Sequence, residues 1–307
     1  MSRKGLFLFL ATGLAWGLPY FFIRIAAAEF SAPMIIFART LVGAAVLIPL
    51  AIKRGVLKDT LKAWPYVLAF AVLEMVGPWW LLTTAEGGNP SHINSGLAGL
   101  LIATVPFFGV FISYFYIGDK SVIHPKTLFG LAVGFIGLVL GFVGIIFLVG
   151  FPSAKLGSDF FLGFFICLAG CISAAFGSNY SKLKLSNAGN WEQVIGAFFF
   201  GGLFTLPLLL FVPIKAGLNP SDWVNMVALA VICSAFCYVI YFSLVLKIGP
   251  TRSISVEFLV TVVAVLIGAF YLNEAISLIQ LFGALLVVLG SILILDLFSL
   301  SSRSKHE

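Results

Sequence analysis

The chain has 307 residues, of which 61% are hydrophobic and 10% charged, and its mean hydropathy is +1.13. A soluble surface needs about 25–35% charged residues, so a multi-domain soluble protein is excluded and lipid must solvate most of the exterior. The net charge of +6 does not point to nucleic acid; its placement carries topology information instead.

A bilayer core needs about 20 apolar residues per helix, and the chain divides into ten such segments. The first covers 5–28 and holds Trp16, Gly17, Tyr20 and Arg24. Arg3 and Lys4 precede it and Ala26-Ala27-Ala28 ends it, as in a secretory signal. Its 24 residues exceed a signal h-region of about 7–15, so it is read as a retained span. The second, 33–52, opens on Pro33 and holds Arg39. The third, 64–84, holds Glu74, Pro78, Trp79 and Trp80. The fourth, 93–117, holds Pro106 and runs into Asp119. The fifth is 126–149. The sixth, 160–182, holds Cys167, Cys171, Phe176, Asn179 and Tyr180. The seventh is 191–213. The eighth, 223–246, holds Cys233, Cys237, Tyr238 and Tyr241. The ninth, 250–272, holds Glu257 and Thr261, and the tenth, 276–297, ends near Asp296. Connections are too short for a soluble domain. Each cysteine pair is spaced i, i+4 with no His or carboxylate beside it, which favours close packing over a metal site.

With the N-terminus inside, 14 of the 18 Lys and Arg residues fall at cytoplasmic ends, Arg24, Lys155 and Lys215 fall outside, and Arg39 lies within a span. That asymmetry predicts ten spans, a multi-pass cell-membrane protein and both termini cytoplasmic.

The chain also repeats itself. Ala15-Trp16-Gly17 and Tyr20 recur as Ala175-Phe176-Gly177 and Tyr180, and Gly43 and Pro49 as Gly201 and Pro207. Pro106 and Asp119 are spaced as Thr261 and Glu274 are, and Leu128-Phe129-Gly130 recurs as Leu281-Phe282-Gly283. The third and eighth segments give no match. Five spans per half invert the second half, an architecture recurrent among transporters. The expected fold is therefore an all-α integral membrane protein with ten transmembrane helices in two inverted five-helix repeats, residues 1–150 and 151–307.

Trp16-Gly17, the Pro33 to Arg39 entry, Pro106 with Asp119, and the ending GAFYLNEAISLIQLFGALLVVLG with Glu274 and Gly283 resemble the EamA-type branch of the drug/metabolite transporter superfamily. The resemblance covers nearly the whole chain. Thr261 stands where the family usually has proline, and Gly118-Asp119 where it usually has glutamate. The resemblance implies ten helices and transport of a small metabolite. It leaves the substrate open among amino acids, nucleotide sugars, sugar phosphates and drugs.

Charges within the membrane are functional candidates by default. Glu74 lies near the middle of its span, four residues before Pro78, whose ring cannot bond the Glu74 carbonyl. A carboxylate and a freed carbonyl then meet at an expected kink. Glu74 is the first candidate for proton coupling and Glu257 the second. The alternatives are a hydrogen-bonded, helix-packing Glu74 and a Glu257 facing a cytoplasmic vestibule. Arg39 lies about 9 Å below the outer surface by helical rise. It can snorkel outward or pair with an acid, or bind an anionic substrate. Trp16 is too deep for an interfacial belt and is expected, with Tyr20, Asn179, Tyr180 and Tyr241, to line a central cavity together with Glu74 and Glu257. Trp79 joins this substrate-binding set or belongs to the belt. Asp119 and Glu274 end helices, where structural roles are expected.

His92, His124 and His306 lie in loops or the tail, and no P-loop, dinucleotide fingerprint or nucleophile elbow occurs. The expectation is a secondary transporter with no cofactor or metal and no enzymatic activity. Its partners are a small-molecule metabolite, the lipid bilayer and protons as candidate coupling ion. The competing reading is an integral-membrane lipid-handling protein or an enzyme acting on a headgroup.

Overall fold

The structure is a computed structural model that describes residues 3–87, 92–123, 125–149, 157–212, 218–248 and 256–272, together with 278, 281–283, 285, 286 and 289. Helices are α1 (Arg3–Glu29), α2 (Ala32–Arg54), α3 (Trp64–Glu86), α4 (Ser95–Ile117), α5 (Pro125–Val149), α6 (Ser158–Lys184) and α7 (Asn190–Phe211). Next come α8, running from Pro220–Ala230 through Val231–Phe236 to Cys237–Ile248, and α9 (Val256–Tyr271). A short helix, Leu57–Lys62, joins α2 to α3. Seven helices, α1 to α4 and α6 to α8, are long and apolar enough to cross a membrane among the described residues. The chain is thus a multi-pass α-helical membrane protein. The tenth expected segment lies mostly outside the described residues.

Two apolar clusters form the interior. One gathers Tyr20 and Ile23 toward the end of α1, Phe30 just after it, Ile35 and Ile36 at the start of α2, Leu82 and Ala85 at the end of α3, and Leu97 at the start of α4. The other gathers Leu47 and Ala51 at the end of α2, Val67 and Phe70 at the start of α3, and Val194 and Phe198 in the first half of α7. Successive helices therefore run antiparallel, and each cluster fills one end of the bundle. Trp79 packs against both clusters.

Helices without a hydrophobic driving force between them approach closely through small residues. A Cβ on Gly17 would lie 2.3 Å from Val263, one on Gly99 2.5 Å from Ala264, and one on Gly43 2.5 Å from the Phe198 ring. These glycines set the α1–α9, α4–α9 and α2–α7 seams, and further seams join α3 to α6, α4 to α6 and α1 to α8. The buried cysteines pack the same seams: Cys171 Sγ donates to the Leu101 carbonyl at 3.4 Å.

The expected disturbance at Pro78 takes a definite form. Val72–Val76 is a π-helical turn in which the Gly77 N–H reaches back to the Val72 carbonyl. Widening one turn accommodates the ring that would otherwise strike the Glu74 carbonyl, and keeps the ladder bonded. A second π turn, Val231–Phe236, interrupts α8. There the Ser234 hydroxyl donates to the Leu229 carbonyl at 3.1 Å, competing with the regular ladder as serine does.

Candidate functional site

Between the two clusters lies a layer of charge and aromatic rings. Arg39 comes from α2 and is 3% exposed, so it does not snorkel. Its Nε donates to Ser234 Oγ at 3.0 Å, and its guanidinium carbon stands 3.7 Å from the Trp79 ring centroid. The α8 π turn presents Ser234, and the helical segment after the α3 π turn presents Trp79. The rings continue from there. Tyr238 lies 6.4 Å from Trp79, 5.4 Å from Phe198 and 5.4 Å from Trp16, and Trp16 lies 4.5 Å from Tyr241. Phe198 is fully buried, but Trp16, Trp79, Tyr238 and Tyr241 are each only half-buried. These rings therefore retain some accessible surface at the level of Arg39.

Glu74 occupies a different seam. The Ser178 hydroxyl lies 3.1 and 3.0 Å from its two carboxylate oxygens, and Gly177 lets α6 approach the Glu74 backbone. Asn179 sits beside them, 3% exposed, with Nδ2 donating to the carbonyls of Gly109 at 3.1 Å and Ala175 at 2.9 Å. Its amide thus ties α6 to α4. Tyr180 packs against the second apolar cluster. Tyr20 is buried in the first cluster. Glu257 lies on α9, but its side chain is outside the described residues. The fold therefore brings Arg39, Trp16, Trp79 and Tyr241 together and adds Ser234, Tyr238 and Phe198. It places Glu74 on α3 facing α6, Asn179 on α6, and Tyr20 in the core within electrostatic range of Arg39.

A model of the EamA-like transporter family matches this chain twice, over residues 3–148 and 161–296. The chain belongs to that family. Among curated relatives, the EamA-like chain is 23% identical over 261 residues to an uncharacterized transporter, YoaV, of Bacillus subtilis strain 168, covering 82% of this chain and 80% of that one. It is 24% identical over 314 residues to a protein of Escherichia coli strain K12 named a probable amino-acid metabolite efflux pump, covering 99% and 98%. It is 26% identical over 293 residues to the uncharacterized inner membrane transporter YedA of the same strain, covering 91% and 89%. A solved crystal structure superposes over the full length of both chains with a TM-score of 0.68 at 17% identity, a likeness of fold alone.

The EamA-like chain also holds a carboxylate that the sequence reading passed over. Glu86 is 0% exposed at the end of α3. Ser95 Oγ donates to its Oε2 at 2.7 Å, and Arg24 Nη1 donates to its backbone carbonyl at 2.9 Å. In the sequence it stands before Gly87-Gly88-Asn89-Pro90 and reads as the start of a polar loop. The return of α4 over the end of α3, with α1 alongside, buries it. Ser234 and Tyr238 were hidden for a related reason, since nothing in the sequence marks the α8 π turn.

Proposed function

We propose that this EamA-like protein is a secondary transporter of the cell membrane that moves a small metabolite through the layer between the two apolar clusters. The observation that carries the reading is a buried, ring-stacked Arg39 among half-buried aromatics, in a bundle built from antiparallel apolar helices. The names of its relatives, transporters and a probable amino-acid metabolite efflux pump, favour the same reading. The test is flux in proteoliposomes across a panel of small metabolites. At least one compound should move faster than through empty vesicles. If none moves in either direction, transport is the wrong reading.

Alternating access follows from two halves of opposite orientation that can exchange conformations around one site. The packing supports this architecture. Exchanging α1 with α6, α2 with α7, α3 with α8 and α4 with α9 turns the α1–α9 seam into α6–α4 and the α3–α6 seam into α8–α1, and leaves α2–α7 and α4–α9 unchanged. The π turns of α3 and α8 begin at Val72 and Val231, partners in that exchange for which the side chains alone gave no match. The double match of the family model supports it as well. Ten helices and cytoplasmic termini are part of the proposal. Ser158 is exposed at the start of α6, whereas Ser302 lies outside the described residues. A cysteine at Ser158 should react with an impermeant maleimide in intact cells and one at Ser302 only after lysis; the reverse pattern would overturn the topology.

Proton coupling through Glu74, with Glu257 as second candidate, completes the reading. A carboxylate within a membrane span is a candidate proton carrier, and coupling arises if proton occupancy changes the conformation preferred. The competing lipid-handling reading has one observation in its favour, a lateral groove of about 450 Å³ between α4 and α5 lined by Phe107, Phe111, Tyr114 and Phe135. That lining is apolar or aromatic throughout and offers no acid or base to act on a headgroup, so transport remains the better account.

A further inference from the structure

We propose that Arg39 docks a carboxylate, so that the transported metabolite is a monocarboxylate whose flat or apolar body lies against Trp16, Trp79, Tyr238 and Tyr241. The inference rests on the reading of this layer as the transport site. A guanidinium withdrawn from water normally meets a carboxylate within the protein. Among the described residues the ion pair is Lys62–Asp59, which is exposed on the short helix between α2 and α3, and no acidic side chain reaches Arg39. The Arg39 Nη1 is buried and has no hydrogen-bond partner among the described residues.

What Arg39 does contact fixes its orientation and leaves its charge unanswered. Ser234 donates its own proton to the Leu229 carbonyl and accepts from Nε, which pins one edge of the guanidinium. Trp79 covers one face. Stacking favours a cation and restrains its plane, but it supplies no acceptor for the remaining N–H groups. A planar cation held in this way, with donors still free, is suited to the fork of a carboxylate.

The charge balance selects one negative charge. Of the Lys and Arg side chains described, Arg39 is the buried one, whereas the others, Arg24 and Lys247 among them, keep accessible surface. Among the described residues Arg39 is therefore the cation of this layer, which matches a monoanion better than a phosphate dianion. The half-buried rings around it select the rest of the molecule, since they offer area and few polar atoms.

The test uses the full-length protein in detergent and in proteoliposomes, with phenylacetate and its neutral isostere phenylacetamide as probes. Binding is read by intrinsic tryptophan fluorescence, to which Trp16 and Trp79 report directly, and by the melting midpoint. Phenylacetate should bind at least about tenfold more tightly than phenylacetamide, the factor set by about 1.4 kcal/mol of charge-assisted bonding. Arg39→Gln should erase that difference while the protein still melts cooperatively. Should Arg39→Gln not purify, Arg39→Lys keeps the charge without the fork and should narrow the preference, and the wild-type comparison of acid with amide stands by itself. Equal binding of acid and amide by the wild type, or an unchanged preference in Arg39→Gln, would overturn the inference. Laurate distinguishes the source: tight laurate binding with none of phenylacetate would mean a carboxylate drawn from the bilayer, and would likewise overturn it. If metabolites are transported with no preference for carboxylates, this inference fails while transport stands. If nothing is transported, the underlying reading fails.

Discussion

Gly177→Leu should yield little folded protein, with a lower melting midpoint and poor monodispersity in detergent. A Cβ on residue 177 would lie 2.6 Å from Glu74 Oε2, 2.8 Å from Glu74 Cβ and 2.9 Å from Glu74 Cα. The carboxylate could turn aside, but the Cα belongs to the backbone of α3 and cannot move alone. Accommodating even a methyl group would require α3 and α6 to separate, against costs of about 1–3 kcal/mol for core overpacking. A leucine adds three more carbons to the same seam. The separation would also carry Ser178 away from Glu74, so any protein recovered should show impaired transport. Gly109→Ala is the control on the facing helix, because a Cβ there meets only Asn179 Nδ2 at 4.0 Å. It should melt with the wild type. A Gly177→Leu protein as stable as that control would show that α3 and α6 do not pack through this glycine.

Glu74→Gln should abolish substrate accumulation driven by a pH gradient in proteoliposomes, by at least about tenfold, the size of a modest coupling free energy. Glutamine keeps the length of the side chain and can still accept from Ser178 Oγ, which lies near both carboxylate oxygens. It cannot gain and lose a proton. Exchange of internal for external substrate needs no net proton movement and should survive, so the two assays separate coupling from binding. Loss of both would mean that Glu74 holds the substrate or the fold. Unchanged accumulation would remove Glu74 as the carrier. Glu257 would then be the next candidate, followed by Glu86, which is completely buried and bonded to Ser95 at the end of α3.

Much of the fold was legible in the sequence because the bilayer imposes a length and a composition on each span. The predicted segments 5–28, 33–52, 160–182 and 191–213 differ from α1, α2, α6 and α7 by a few residues at most. Burial depth was legible too, since helical rise converts residue number into distance. It placed Trp16 and Arg39 inside the membrane. What it could not supply was rotation about the helix axis. Glu74 and Trp79 are five residues apart on one helix, yet Glu74 turns to Ser178 of α6 and Trp79 to Arg39 of α2.

By itself the sequence determined the α-helical membrane class, the positions of seven spans, the internal repetition and the charges within the apolar segments. Each of these follows from local composition or from spacing along the chain. Only the tertiary structure decided which charges meet which partners. The π turns of α3 and α8 shift the register of the residues beyond them by a fraction of a turn, so a 3.6-residue period no longer predicts the facing side chain. Ser234 reaches Arg39 across 195 positions of sequence, and Glu86 is buried by a helix that begins after a polar loop. Side-chain partners of this kind depend on how helices cross, and crossing is set by glycine contacts between distant segments.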